Sequence, residues 1–371
     1  MKTDLEQLWR SHSRRRFLKT SVAALSGLAL TRCGWRQAGV QRSTPQATTD
    51  KLYVYTWSQY TDEDLLKSFT SQTGIEIVAD VYDSNETMLA KLQAGGGANY
   101  SIIYPSDYMV QRMAKAGLLQ QLQRDRLKGL DNLFPQFQNP TYDPNNRYSV
   151  PLTWGTTGFV YNSQQLTDPP TDWDYLWRNQ KQLSKRMTLL NDVREVMGAT
   201  LHMLGYSYNS KDESQVKQAY EKLSELKPSI AAFDTDGWRN QILAGDLLLA
   251  MCYSTNGILT SRENPNLKYV IPRSGTSLWT DTIAIPKTAP NLKAAYAWIN
   301  FNLQPAVSAQ LCQRQTVATP NQAAFEQLPP DLRNNNNLFP PESILKQCER
   351  IESLGEFDAV YERYWTQLTS G

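Results

Sequence analysis

A chain of 371 residues is too long for one ordinary core, so two domains of roughly 150 residues are expected. The formal net charge of +2 hides an asymmetry: residues 1–33 carry seven Lys and Arg (Lys2, Arg10, Arg14, Arg15, Arg16, Lys19, Arg32) against Asp4 and Glu6, leaving 31 basic and 34 acidic residues, a net −3, in the remainder. A mildly acidic body with 40% hydrophobic residues excludes a membrane bundle and argues against nucleic acid as a partner, which needs a basic face.

Residues 1–33 read as an export signal. "SRRRFLK" (13–19) precedes the apolar run "TSVAALSGLALT", a basic region followed by about a dozen apolar residues, against about twenty needed to span a bilayer. Paired arginines before Phe and Leu are twin-arginine-like. Cys33 stands where a lipoprotein cysteine would, but Arg32 before it departs from the small residue such sites want. Residues 34–50, polar and rich in Ser, Thr and Gln, read as a flexible linker.

In the body, "KLYVYTW" (51–57) is a predicted strand. Asp62 caps a helix "EDLLKSFTSQT" that Gly74 stops. "IEIVADVY" is a strand, Ser84 starts the helix "NETMLAKLQA", and "YSIIYPS" (100–106) is a further strand. This alternation predicts an α/β fold with βαβ units, a parallel sheet and helices on both faces. Ligands of such sheets bind beyond the carboxyl ends of the strands, and Trp57, Ser58, Tyr60, Ser106 and Tyr108 fall there. "RYSVPLTWGTTGFVYN" reads as an extended crossing segment and "SLWTDTIAIPK" as an extended return. Between them lie a strand "MTLLND", a helix "VREVMGATLHMLGY", a helix "ESQVKQAYEKLSELKP" and a buried strand "DLLLAMCYS". "LKAAYAWINFNL" and "AVSAQLCQRQ" are helices. Of the cysteines beyond Cys33, Cys312 and Cys348 are the expected disulfide and Cys252 a buried hydrophobe.

Familiar catalytic patterns are absent. His202, between Leu201 and Met203, is the one histidine beyond the leader and reads as structural. No CxxC, GxGxxG, P-loop or GxSxG occurs, so no cofactor and no metal are expected. What remains is a set of carboxylates and rings. Asp192 ends a strand and Glu195 follows in the first helical turn, so both can share one face. Spacing alone favours plain capping by the pair. Trp279 and Asp281 project from one face of a strand, a ring beside a carboxylate, which is what an organic ammonium wants. Trp279 as simple core is the competing reading.

With "YTWSQY", "TGIEIVADVYDSNETMLAKL", "YPSDYMV", "YSVPLTWGTTGFVYN", "NDVREV", "GYS", "LWTDTIAIP", "INF" with a following Pro, and "TPN", kept in order, the chain from residue 51 onward resembles bacterial periplasmic spermidine/putrescine-binding proteins, the solute receptors of polyamine ABC importers. The resemblance implies a two-lobed periplasmic-binding-protein fold of type II, its ligand cleft between lobes joined by crossing strands. It places one lobe at 51–156 plus 280–325 and the other at 157–279 plus 328–371. It implies ligand aromatics at Trp57, Tyr60, Tyr108 and Trp279, hydroxyls at Ser58 and Ser106, and ammonium-binding carboxylates at Asp192, Glu195 and Asp281. Tyr253 stands for a family tryptophan and Gln59 for a carboxylate. A family tyrosine falls on Val317 and a glutamine on Ile351. It further implies a periplasmic monomer, not an enzyme, with a polyamine ligand and a cognate ABC permease in the inner membrane. The alternatives are a receptor for another organic cation, such as agmatine or thiamine, or, more remotely, a secreted carboxylate-pair hydrolase.

Overall fold

The computed structural model describes residues 51–60 and 62–370. The expected export signal, the linker and Cys33 lie outside these residues.

The strands are β1 (Lys51–Trp57), β2 (Glu76–Tyr82), β3 (Ile102–Ile103), β4 (Ser149–Asn162), β5 (Met187–Leu189), β6 (Ile230–Phe233), β7 (Leu249–Tyr253), β8 (Leu267–Val270) and β9 (Leu278–Ala284). The longer helices are α1 (Glu63–Thr73), α2 (Asn85–Gln93), α3 (Asp107–Lys115), α4 (Val193–Met203), α5 (Glu213–Leu226), α6 (Trp238–Ala244), α7 (Ser254–Glu263), α8 (Leu292–Asn302), α9 (Pro305–Gln315) and α10 (Asp358–Ser370).

Local chemistry sets the helix boundaries. Asp62 Oδ1 accepts from the amides of Asp64 and Leu65 at 3.0 and 3.1 Å, and Gly74, at φ 72°, ends α1 in the left-handed region that costs glycine least. Ser84 caps α2 through the Thr87 amide at 3.1 Å. Leu65 and Phe69 form the buried stripe of α1, and burying a side chain like Phe69 contributes about 1.5–3 kcal/mol.

The strand order is β2-β1-β3-β9-β4-β7-β5-β6, with β8 also on β4. Its centre is the 14-residue β4. Ser149 to Thr156 of this strand pair with β9, and Thr157 onward pairs with β7 and, from Phe159, with β8. One strand therefore serves two halves of the sheet, as the crossing-segment reading expected. Along β1, Leu52 and Val54 face a core shared with Phe69, Trp298 and Phe301, while Tyr55 faces Met88, Ile103 and Met109. That alternation puts helices on both faces.

Three expectations change. The sheet is mixed rather than parallel: β1 pairs β2 and β3 in parallel, but β3 pairs β9, and β4 pairs β9 and β7, antiparallel. The strand expected over 100–106 shrinks to Ile102–Ile103. Pro105 has no N–H to continue the ladder, and its carbonyl turns to the amide and hydroxyl of Thr282, at 3.0 and 2.7 Å. The Cys312–Cys348 disulfide does not form. All three described cysteines are free; Cys312 is packed within a core cluster of α9, and the Cys348 thiol donates to the Ile344 carbonyl at 3.3 Å.

Candidate functional site

The C-terminal ends of β1, β3, β5 and β7, with β9, converge on a cleft of about 570 Å³, its mouth included. Trp57, Gln59, Asn85, Ser106, Asp107, Tyr108, Asp192, Glu195, Tyr253, Thr255, Asn256, Trp279, Asp281 and Ile351 line it. Of the residues expected from the sequence, the structure brings together Trp57, Gln59, Ser106, Tyr108, Asp192, Glu195, Tyr253, Trp279 and Asp281. Tyr60 stands behind this wall, and Ser58 lies exposed in the turn Ser58–Tyr60 outside it. Val317 is buried elsewhere.

The cleft has two anionic poles. Asp281, on β9, accepts from the Tyr60 hydroxyl at 2.8 Å and the Ser106 hydroxyl at 2.7 Å. Ser106 is itself held by Asn85, whose Nδ2 donates to Ser106 Oγ at 3.0 Å while its Oδ1 accepts from the Ser106 amide at 3.1 Å. At the other pole, Asp192 caps α4. Its Oδ1 accepts from the Arg194 and Glu195 amides at 2.9 and 3.1 Å, and its Oδ2 accepts from the Tyr253 hydroxyl at 3.2 Å. Glu195 does not fold back to close a capping box. Its carboxylate accepts instead from the hydroxyl of Ser277, the residue just before β9, at 2.6 Å. Capping and cleft lining are thus both true of Asp192, and Glu195 is committed to the cleft.

Burial dominates the acid–base behaviour. Asp281 is 6% exposed and is pushed up to about 6, despite the two hydroxyl donors that favour its charge. Burial also raises Glu195, and the neighbouring Asp192 charge raises it further; burial likewise raises Asp192. Asp107 rises to about 6 for the same reason, held down in part by Arg350. A buried anion without a counter-charge is costly, so the charged forms of Asp281 and Glu195 are unfavourable until a cation arrives, whereas Asp107 already has Arg350 beside it at 2.8 Å.

Rings frame the poles. The Trp57 indole donates to the Tyr104 carbonyl at 3.0 Å and tilts against Tyr82 with centroids 4.6 Å apart. Trp279 meets Tyr253 edge-on at 5.8 Å. The Trp279 ring lies over Gly155 of β4, where an added Cβ would come within 2.4 Å of it, so only glycine at 155 leaves the ring its place. A second cavity, lined by Asp83, Ser84, Thr87, Asn191, Phe233, Asp234, Thr235 and Asp236, includes the chain neighbours of Asn85 and Asp192 and adds three more carboxylates.

Sequence reasoning missed Asn85, Asp107, Thr255 and Asn256. Each sits in the first turn of a helix that leaves the ligand edge of the sheet, the same signal that found Ser106 and Tyr108. Ile351 was noted as a replaced glutamine, and it does line the cleft. His202 is structural, its Nδ1 beside Glu349 at 3.2 Å and its Nε2 beside the Ser274 carbonyl at 2.6 Å. Among the described residues no cluster of His, Cys, Asp and Glu could hold a metal ion, and no helix is long and apolar enough to cross a membrane.

Residues 64–340 match the family of bacterial extracellular solute-binding proteins. The spermidine/putrescine-binding periplasmic protein of Salmonella typhimurium is 36% identical over 324 residues, covering 87% of this chain and 92% of the relative. A putrescine/cadaverine-binding protein of Pseudomonas aeruginosa is 30% identical, covering 89% and 97%. The solved spermidine/putrescine ABC transporter substrate-binding protein of Streptococcus pneumoniae superposes with a TM-score of 0.75 at 35% identity, over 86% of this chain and 99% of that one. The architecture is therefore the two-lobed α/β fold of periplasmic binding proteins.

Proposed function

Because the chain belongs to the bacterial extracellular solute-binding protein family, we propose that its cleft is the receptor site for a polyamine, spermidine and/or putrescine, which it delivers to a cognate ABC permease. The observation that carries this reading is the charge of the cleft wall: it holds four carboxylates and no Lys or Arg, with rings from Trp57, Tyr108, Tyr253 and Trp279 between them. A polyamine is a row of ammonium groups separated by methylenes. Carboxylates at Asp281 and at Asp192 with Glu195 fix the charges through charge-assisted hydrogen bonds, and the rings cover the methylenes and the cations. Exclusion of water strengthens each contact. The aspartates of the neighbouring cavity raise the local cation concentration.

In this reading residues 51–156 with 280–325 form one jaw and 157–279 with 328–371 the other, hinged on β4 and β9. The protein is exported by its twin-arginine-like signal, acts in the periplasm as a monomer and performs no turnover. Neutral Gln59 and Ile351 at the wall favour, as a second reading, a receptor for another organic cation such as agmatine or thiamine.

Isothermal titration of the purified protein with putrescine, spermidine and spermine tests the proposal. Binding near micromolar or tighter to at least one of them supports it. Heat from none of the three, with a thermal shift from agmatine or thiamine, overturns the polyamine reading in favour of the second.

A further inference from the structure

We infer that Arg350 is a positioning residue for closure of the cleft: its guanidinium braces the hinge and holds the two jaws at a closed angle before any ligand arrives. This rests on the two-jaw reading above, in which the chain passes between the jaws within β4 and β9. The backbone that carries Arg350 is tied to the second jaw. Glu349 lies beside Ser277 as a parallel bridge, its amide donating to the Thr276 carbonyl at 2.9 Å and its carbonyl accepting from the Leu278 amide at 2.8 Å. Asn209 Nδ2 donates to the Arg350 carbonyl at 2.7 Å, and Arg194 Nη1 donates to the Glu352 carbonyl at 2.8 Å. The segment therefore runs alongside the start of β9, next to the point where β9 passes into the first jaw.

The Arg350 side chain reaches the other way. Its Nη1 donates to Asp107 Oδ2 at 2.8 Å and to Thr280 Oγ1 at 2.7 Å, and the guanidinium carbon stands 5.9 Å from the centre of the Tyr142 ring. All three partners belong to the first jaw. Asp107 opens α3, and its Oδ1 accepts from the Tyr108 amide at 2.9 Å; Thr280 is paired with Trp154 of β4. Among the described residues no other ion pair joins the two jaws.

A residue held to one jaw by its backbone and to the other by its head group fixes the angle between them. Rotation within β4 and β9 has to draw Arg350 away from Asp107 and Thr280, and a lengthening of about 1 Å leaves neither hydrogen bond. The Asp107 side chain, 2% exposed, would then be a charge without a counter-charge until water reached it. Arg350 is not among the residues of the cleft wall, so the brace acts on the jaw angle without entering the space a ligand would fill.

Small-angle X-ray scattering of the purified ligand-free protein, wild type against Arg350→Gln, tests this, together with stopped-flow tryptophan fluorescence on mixing with putrescine or spermidine. The wild type is expected to show one radius of gyration with and without amine. Arg350→Gln should show a larger radius without amine and the wild-type radius with it. Its association rate should rise about tenfold, because the free wild type must part the pair before ligand enters. Arg350→Lys, which keeps the charge, should restore part of the wild-type behaviour. A wild-type radius that shrinks on adding amine, or equal ligand-free radii for wild type and Arg350→Gln, overturns the inference and leaves the polyamine reading intact. If Arg350→Gln does not fold, Asp107→Asn removes the same pair and its ligand-free radius decides. Absence of binding by either amine overturns the polyamine reading instead, and the ligand-free radii still decide the brace.

Discussion

Asp281→Asn separates what the carboxylate does for ligand from what it does to the fold. The substitution keeps shape and removes charge. In the ligand-free protein Asp281 titrates at about 6 against an ordinary 3.8, so its charged form costs the fold roughly 3 kcal/mol at neutral pH, at about 1.4 kcal/mol per tenfold. The folded-state value is the raised one, so this cost is present above pH 6 and vanishes below about pH 4. The amide must reuse donors that suit a carboxylate, Tyr60 and Ser106, so the net gain is set at about 1–3 kcal/mol, a rise of roughly 2–6 °C in Tm. Ligand binding should move the other way. Removing one partner of a buried charge pair costs about 2–4 kcal/mol, a 30- to 1000-fold loss of affinity. Calorimetry with the tightest-binding amine and a thermal melt at pH 7.5 read both quantities. A Kd within about threefold of wild type, or a melt that falls instead of rising, would refute the reasoning.

The same acids make binding pH-dependent: ammonium ligands favour the charged carboxylates, so affinity should be greatest above pH 7 and fall as pH drops through about 6, where Asp281 protonates. Titrations in buffers of different ionisation enthalpy should report proton release on binding near pH 6; affinity rising toward pH 5 contradicts the assignment. Asp192 has two jobs, cap and anion, and two variants divide them. Asp192→Asn keeps a good N-cap and should hold Tm within about 2 °C while weakening ligand at least about tenfold; Asp192→Ala should lose the ligand and also about 1 kcal/mol of stability. Equal melts for the two variants would deny the cap its role. Gly155→Ala drives a methyl into the Trp279 ring and should cost about 1–3 kcal/mol in stability or affinity, with a changed tryptophan emission; unaltered emission and affinity would mean the ring does not depend on Gly155.

What the sequence determined by itself is local. Asp62, Ser84, Gly74 and Asp192 announce helix ends because caps act through bonds two or three residues away. The alternating pattern of β1 announces a two-faced strand, and the position of Trp57, Ser106 and Tyr108 after strands announces a ligand edge. Tertiary structure decided the rest. Capping and ligand roles of Asp192 and Glu195 could not be told apart from spacing; the choice depends on Ser277 and Tyr253, 82 and 61 residues away. The mixed sheet follows from β4 and β9 pairing across more than 120 residues, a register that no local window contains. Asp107 stood beside Ser106 unremarked, because only the fold brings Arg350 to it. The raised pKa values of the cleft carboxyls arise from desolvation, and burial is a property of the assembled fold rather than of any segment.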